Sequence, residues 1–233
     1  MRTRALLTVW TFLAGLTLIT STHAQTQTET PGLSAAILRA AEALPPSTRD
    51  QVRRVVQSPT LAAHPPADDF MAHPQVYQWL LDHPDRVATA WHRLGVPCAK
   101  IAATGPNQFA WTDELGSVLN WEPFYRGPDG RMWYARGQVK PSPLLPMVPV
   151  KAVAVLRCTP AEPSAHAVPL RHQADLYVLA ENKLAGITSK LMAGAGAVPK
   201  LADQGTAQLL LFFGKMAQRL AVNPQEAEDL FGL

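Results

Sequence analysis

The chain is 233 residues long, 47% apolar and 17% charged, with a formal net charge of +3. That length suffices for one domain with a core of its own and a short arm. Arg53-Arg54 is the only basic doublet and no dense run of Lys and Arg occurs, which excludes a nucleic-acid backbone as partner.

The chain begins with Arg2 and Arg4, an apolar run from Ala5 to Ile19, and Thr20-Ser21-Thr22-His23-Ala24. A basic start, a short apolar stretch and a small-residue site predict a signal peptide over 1–24, cleaved near Ala24, and a periplasmic or secreted protein. A spanning helix needs about 20 strongly apolar residues, more than this threonine-rich run supplies. Loss of Arg2 and Arg4 leaves 19 basic side chains (21 − 2) against 18 acidic ones, so the basic balance says nothing about partners.

Residues 25–67 read as a polar segment and a helical arm with a linker, and 68–233 as an α+β domain. Leu33, Ile37, Ala41 and Leu44 recur at helical spacing until Pro45-Pro46. Ser47 is then placed to cap a second short helix carrying Val52, Val55 and Val56. The stretch "SPTLAAHPPADD" (58–69) is a linker by composition. Pro74 and Pro84 suit first helical positions, and Gly95 suits the stop after the second of these helices.

From Val96 the apolar period becomes two, predicting strands over 98–103, 108–113, 117–125, 131–139, 149–158 and 168–179. Pro128-Asp129-Gly130 is hairpin-turn chemistry. Leu119, Trp121 and Tyr125 are expected on one face, with Asn120, Glu122 and Phe124 on the other. Connections this short make the sheet an antiparallel meander. A helix is expected over 183–192, then the glycine-rich "AGAGAVP", then a long helix from about Lys200 to Val222 with Leu209, Phe213, Met216 and Leu220 along its inner stripe. Asn223-Pro224-Gln225-Glu226 predicts a capped final helix reaching Phe231.

The connection "KPSPLLPMVP" is too rich in proline for an inner strand. Leu144, Leu145 and Met147 either fold back over the core as a rigid lid or face outward as an apolar lip. The second reading makes 140–149 a contact for ligand, membrane surface or protein. Cys98 and Cys158, a lone pair in an exported chain, are expected to form a disulfide.

Helices, a meander of about six strands and a long apolar C-terminal helix in that order resemble the START-like, helix-grip fold. The resemblance implies a lipid or other apolar ligand held between sheet and helix. The chain departs from the pattern in showing no strand before 70–94, where that fold has its first, and in the extra helix over 183–192. The phrases "HPQVYQWLLDHPDRVATAWHRLGVPC", "GPDGRMWYARGQVKPSPLLPMVPVKAVAVLR" and "RHQADLYV" are also similar to a group of exported proteins of planctomycete-type bacteria. That likeness implies no activity.

No nucleophile elbow, phosphate loop, dinucleotide fingerprint or metal-ligand spacing occurs, and no cofactor is expected. Asp113, Glu114, Glu122, His172 and Asp175 are the acids and bases on the strands. His172 and Asp175, three apart, point to opposite faces and cannot act as a pair. The more useful signal is aromatic. Trp111, Trp121, Trp133 and Tyr134, with Phe213 of the long helix, either pack a core or line a cavity whose polar handles are Arg136 and His172. Leu144, Leu145 and Met147 would form its lip. Three functions remain open: a binding protein for an apolar or amphiphilic ligand, an envelope interaction module with a solid core, and a lyase- or cyclase-type enzyme using His172.

Overall fold

The computed structural model describes residues 32–141, 143–159, 166–181 and 197–232, with backbone alone over 197–205. The expected signal peptide and the helix over 183–192 lie outside these residues. The described chain is α+β. Helices α1 (Leu33–Ala40) and α2 (Pro46–Gln57) come first, joined by a short 3-10 turn. Strands β1 (Leu61–Ala63) and β2 (Asp68–Ala72) follow, then helices α3 (Pro74–Asp82) and α4 (Pro84–Arg93). The meander is β3 (Lys100–Gly105), β4 (Gln108–Thr112), β5 (Val118–Gly127), β6 (Gly130–Val139), β7 (Val148–Cys158) and β8 (Val168–Ala180). Helices α5 (Ala197–Val222) and α6 (Glu226–Phe231) end it.

The sheet is antiparallel, in the order β1-β8-β7-β6-β5-β4-β3, with β2 also paired to β8. All six expected strands form, within about two residues of their expected ends. The segment read as a linker holds β1 and the first residues of β2. These two short strands share one edge of the long β8, Leu61 opposite Val178 and Asp68 opposite His172. The chain therefore does have strands ahead of α3.

Period two divides the sheet into two apolar faces. On the inner face Trp133, Leu156, Cys158 and Leu170 pack with Phe70, Tyr77 and Leu80 and with Phe213, Met216 and Leu220 of α5. On the outer face Met132, Tyr134, Val153, Val155 and Tyr177 meet Leu33, Ile37, Val52, Val55 and Val56 of α1 and α2. The sheet is thus sandwiched between helices. Arg131, 5% exposed, ties the layers together: its Nε and Nη2 each donate to an Asp82 carboxylate oxygen at 2.9 Å.

Several local expectations need correction. Ser47 caps nothing, because Pro46 with its fixed φ already occupies the first turn of α2 and Pro45 the cap. Glu226 makes no capping box; its carboxylate takes Arg219 instead. Tyr125 does not share a face with Trp121. The ladder slips between Pro123 and Tyr125, a bulge that sends Tyr125 to the outer face opposite Met132. Gly130 is demanded by its place: a Cβ there would lie 2.0 Å from the Leu156 carbonyl oxygen.

The expected disulfide is absent; both cysteines are free thiols. Lys100, two residues after Cys98, shares a cross-strand row with Thr112, Val118, Gln138 and Pro149. Cys158 lies at the other end of β7 from Pro149, about 30 Å further along the strand. A disulfide needs Cα atoms within about 7 Å.

Candidate functional site

The inner face of the sheet has two unlike halves. The half under α5 is filled. Trp133, 2% exposed, lies parallel to Phe213 of α5 with ring centroids 6.3 Å apart. Phe213 and Met216 are wholly buried. Of the ligand-site residues expected from sequence, Trp133 and Phe213 are packed into this core.

His172 belongs to the same half, 1% exposed and directly opposite Asp68 of β2. Its Nδ1 lies 2.8 Å from the Tyr77 hydroxyl, and the Phe70 ring packs 4.5 Å away, centroid to centroid. Gly214 of α5 passes so close that a Cβ there would stand 2.7 Å from His172 Cε1. Nε2 is buried with no hydrogen-bond partner, and the nearest charge, Asp68 Oδ2, is 3.8 Å away. Burial lowers the His172 pKa to about 4 against the upward pull of Asp68, so the imidazole is neutral at pH 7. Asp175 faces the opposite way, as alternation requires, and accepts from Arg157 while lying 2.9 Å from His64 Nδ1.

The other half runs from β3 to β6 and is only partly covered. Trp111, Leu119 and Trp121 are half-buried, and their neighbours Ala135 and Gly137 are small. Cross-strand pairing sets these side chains side by side on the inner face: Ile101 with Trp111, Trp111 with Leu119, Trp121 with Ala135. The Trp121 ring meets Trp133 edge to face at 5.6 Å, so the apolar surface is continuous with the core. Its Nε1 is out of water and has no hydrogen-bond partner. An unsatisfied buried donor of this kind costs about 1–3 kcal/mol.

At the margin of this half, α4 stands off β3 and leaves a gap of about 280 Å³ lined by Ala88, Thr89, His92, Lys100 and Ile101. Cys98 borders the same region, with Sγ 3.7 Å from His92 Nε2; burial raises its thiol pKa, which keeps it protonated. The sequence reading missed this gap. Ile101 sits on the same face as Trp111.

Two expected site residues point elsewhere. Tyr134 and Arg136 lie on the outer face, since residues adjacent to Trp133 and Ala135 in a strand must project oppositely. They line a second depression of about 170 Å³ with Thr104, Gln108, Phe109, Asn120, Trp121 and Glu122. The Tyr134 hydroxyl donates to Gln51 of α2, and burial pushes its pKa up to about 12. On the β6–β7 connection Leu144 is 95% exposed and Met147 37%, so neither packs on the core as a lid, while Leu145 is half-buried.

No protein-family model matches the chain, and no curated protein matches it. Among solved structures, a conserved protein from Geobacillus kaustophilus aligns over 67% of this chain and 92% of its own, at 14% identity and a TM-score of 0.40. A START superfamily protein from Mycobacterium smegmatis aligns over 64% and 98%, at 13% identity and a TM-score of 0.35.

Proposed function

We propose that this chain binds an apolar or amphiphilic, lipid-like molecule on the inner face of its sheet, in the half that runs from β3 to β6. One observation carries the reading. The apolar surface does not stop where the core is complete but continues over Trp121, Leu119 and Trp111 to Ile101, beside the gap next to α4. Aromatic and small side chains on a partly covered face with few polar groups suit such a ligand. Lys100 at the gap would favour an anionic head.

The proposed site keeps Trp111 and Trp121 of the one expected from sequence between sheet and C-terminal helix, and leaves out Trp133 and Phe213, which are packed into the core. The same close packing is what favours the second reading, an interaction module with a solid core. Native mass spectrometry followed by solvent extraction separates the two. The binding reading expects a lipid-sized mass that leaves on extraction and is reduced by Trp121→Ala. A clean apo mass after incubation with membrane extract sinks it. Export to the periplasm or beyond, with cleavage near Ala24, completes the proposal and is checked by the N-terminal sequence of the exported protein.

A further inference from the structure

The described exposed large aliphatic side chains are unevenly placed. Val96, Leu115, Val118, Leu144 and Met147 are five of the eight, the others being Met71, Leu211 and Val222. Those five lie in the α4–β3 connection, in the β4–β5 turn with the first residue of β5, and in the β6–β7 connection. The row Lys100, Thr112, Val118, Gln138, Pro149 shows that all three connections leave the same end of the sheet. The opposite end is turned by Pro106-Asn107 and Pro128-Asp129, and of the eight it carries Met71 of β2, which pairs with Pro169 at the start of β8.

The rim is held in place. The Asp113 carboxylate accepts from the Ser117 N–H at 2.8 Å, and Ser117 Oγ accepts from the Lys140 N–H at 3.0 Å. Ser117 is wholly buried, so it fastens the turn bearing Leu115 to the start of the loop bearing Leu144. Pro141, Pro143 and Pro146 stiffen that loop further.

We propose that this end of the sheet is a membrane-docking rim, which sinks its aliphatic tips into the headgroup and upper acyl region of a bilayer and brings the gap between α4 and β3 to the lipid surface. It rests on the reading of the inner face as a lipid-binding surface and names where that ligand is collected or released. Three features select a bilayer over a protein. The side chains are spread over three separate connections and the start of β5, whereas a specific protein partner takes a continuous surface of about 800 Å² from each side. A lipid interface accepts scattered tips to a depth of about 5–10 Å. Charge at the rim is balanced, Lys100 and Lys140 against Asp113 and Glu114, so nothing there calls for an acidic or basic protein. Insertion is accordingly apolar: it needs no anionic lipid and resists salt.

Hydrogen–deuterium exchange of the full chain with phosphatidylcholine vesicles tests this segment by segment. Attachment through the apolar run Ala5–Ile19 therefore does not obscure the result. Amides of 94–99, 113–117 and 140–147 should slow on the order of tenfold, while those of 105–108 and 127–130 stay unchanged. The triple variant Leu115→Ser, Leu144→Ser, Met147→Ser should lose that slowing and still yield extractable lipid. Unchanged exchange in the three loops overturns the docking rim, and if lipid still extracts from the protein, the binding reading stands without it. Slowed loops with nothing extractable keep the rim and discard the bound ligand.

Discussion

The two halves of the inner face are built from the same residue types and differ in what lies above them. Under α5, Trp133 lies parallel to Phe213 and the Tyr77 hydroxyl meets His172 Nδ1, so each large ring has a partner. From β3 to β6, Trp111 and Trp121 have comparable bulk but remain half-buried, and Ala135 and Gly137 put little between them and the open side. Aromatic content alone therefore does not separate a core from a ligand surface. The covering element does.

Stability measurements should show the contrast most sharply. Trp133→Ala is expected to cost about 3–5 kcal/mol in chemical denaturation, through lost burial and a cavity that the stacked Phe213 cannot close. Trp111→Ala should cost about 1.5 kcal/mol or less, because much of its ring is not taken from water in the free protein. Equal losses would mean that the β3–β6 half is core too, and would remove the proposed site.

Acid probes the filled half next. The folded pKa of His172 is about 4, below the ordinary 6.5, so between those values the unfolded chain binds more protons than the folded one. Stability from this group is complete above pH 6.5 and declines as pH falls towards 4, by up to about 3 kcal/mol. His172→Asn should flatten that window in a pH series of melting curves; an unaltered slope would show that the ring titrates normally.

Gly214→Ala comes third. Its added methyl would meet His172 Cε1 and is expected to cost about 1–3 kcal/mol. Combining it with His172→Ala should recover most of the loss, and failure to do so would point to the helix backbone as the cause. Smallest is Leu144→Ser, within about 0.5 kcal/mol of the parent, as suits a side chain that packs on nothing.

The strands of the meander were legible because alternation, turn residues and short connections all point one way. Strand β1 was not. Three residues carry no period, and the prolines between β1 and β2 look like a linker. What makes 61–63 a strand is β8, thirteen residues long, whose free edge has positions left to pair. The bulge at Pro123 defeated the face assignment of Tyr125 for a similar reason, since its cause is a ladder slip and not a local pattern. The candidate site was half legible. Trp111 and Trp121 could be assigned from spacing, and the adjacency of Trp133 and Tyr134 already forbade placing both at one cavity. The gap beside Ile101 had no signal, because α4 and β3 meet there only in three dimensions.

Strand β8 also constrains when the protein can finish folding. Its edge partners come from residues 61–72, and the bond between His64 and Asp175 that pins the start of this stretch joins positions 111 apart in the chain. As the chain emerges from its N-terminal end, the segment 58–72 has no edge to join until β8 has emerged as well, although α1 and α2 came out long before. Contacts this distant slow folding, since the intervening loop must close before they are gained. Until then Phe70 and Ala72, fully at home in the finished core, are exposed on an unpaired strand. The interval between the two ends of this ladder is when the chain is most open to aggregation and has most need of a chaperone.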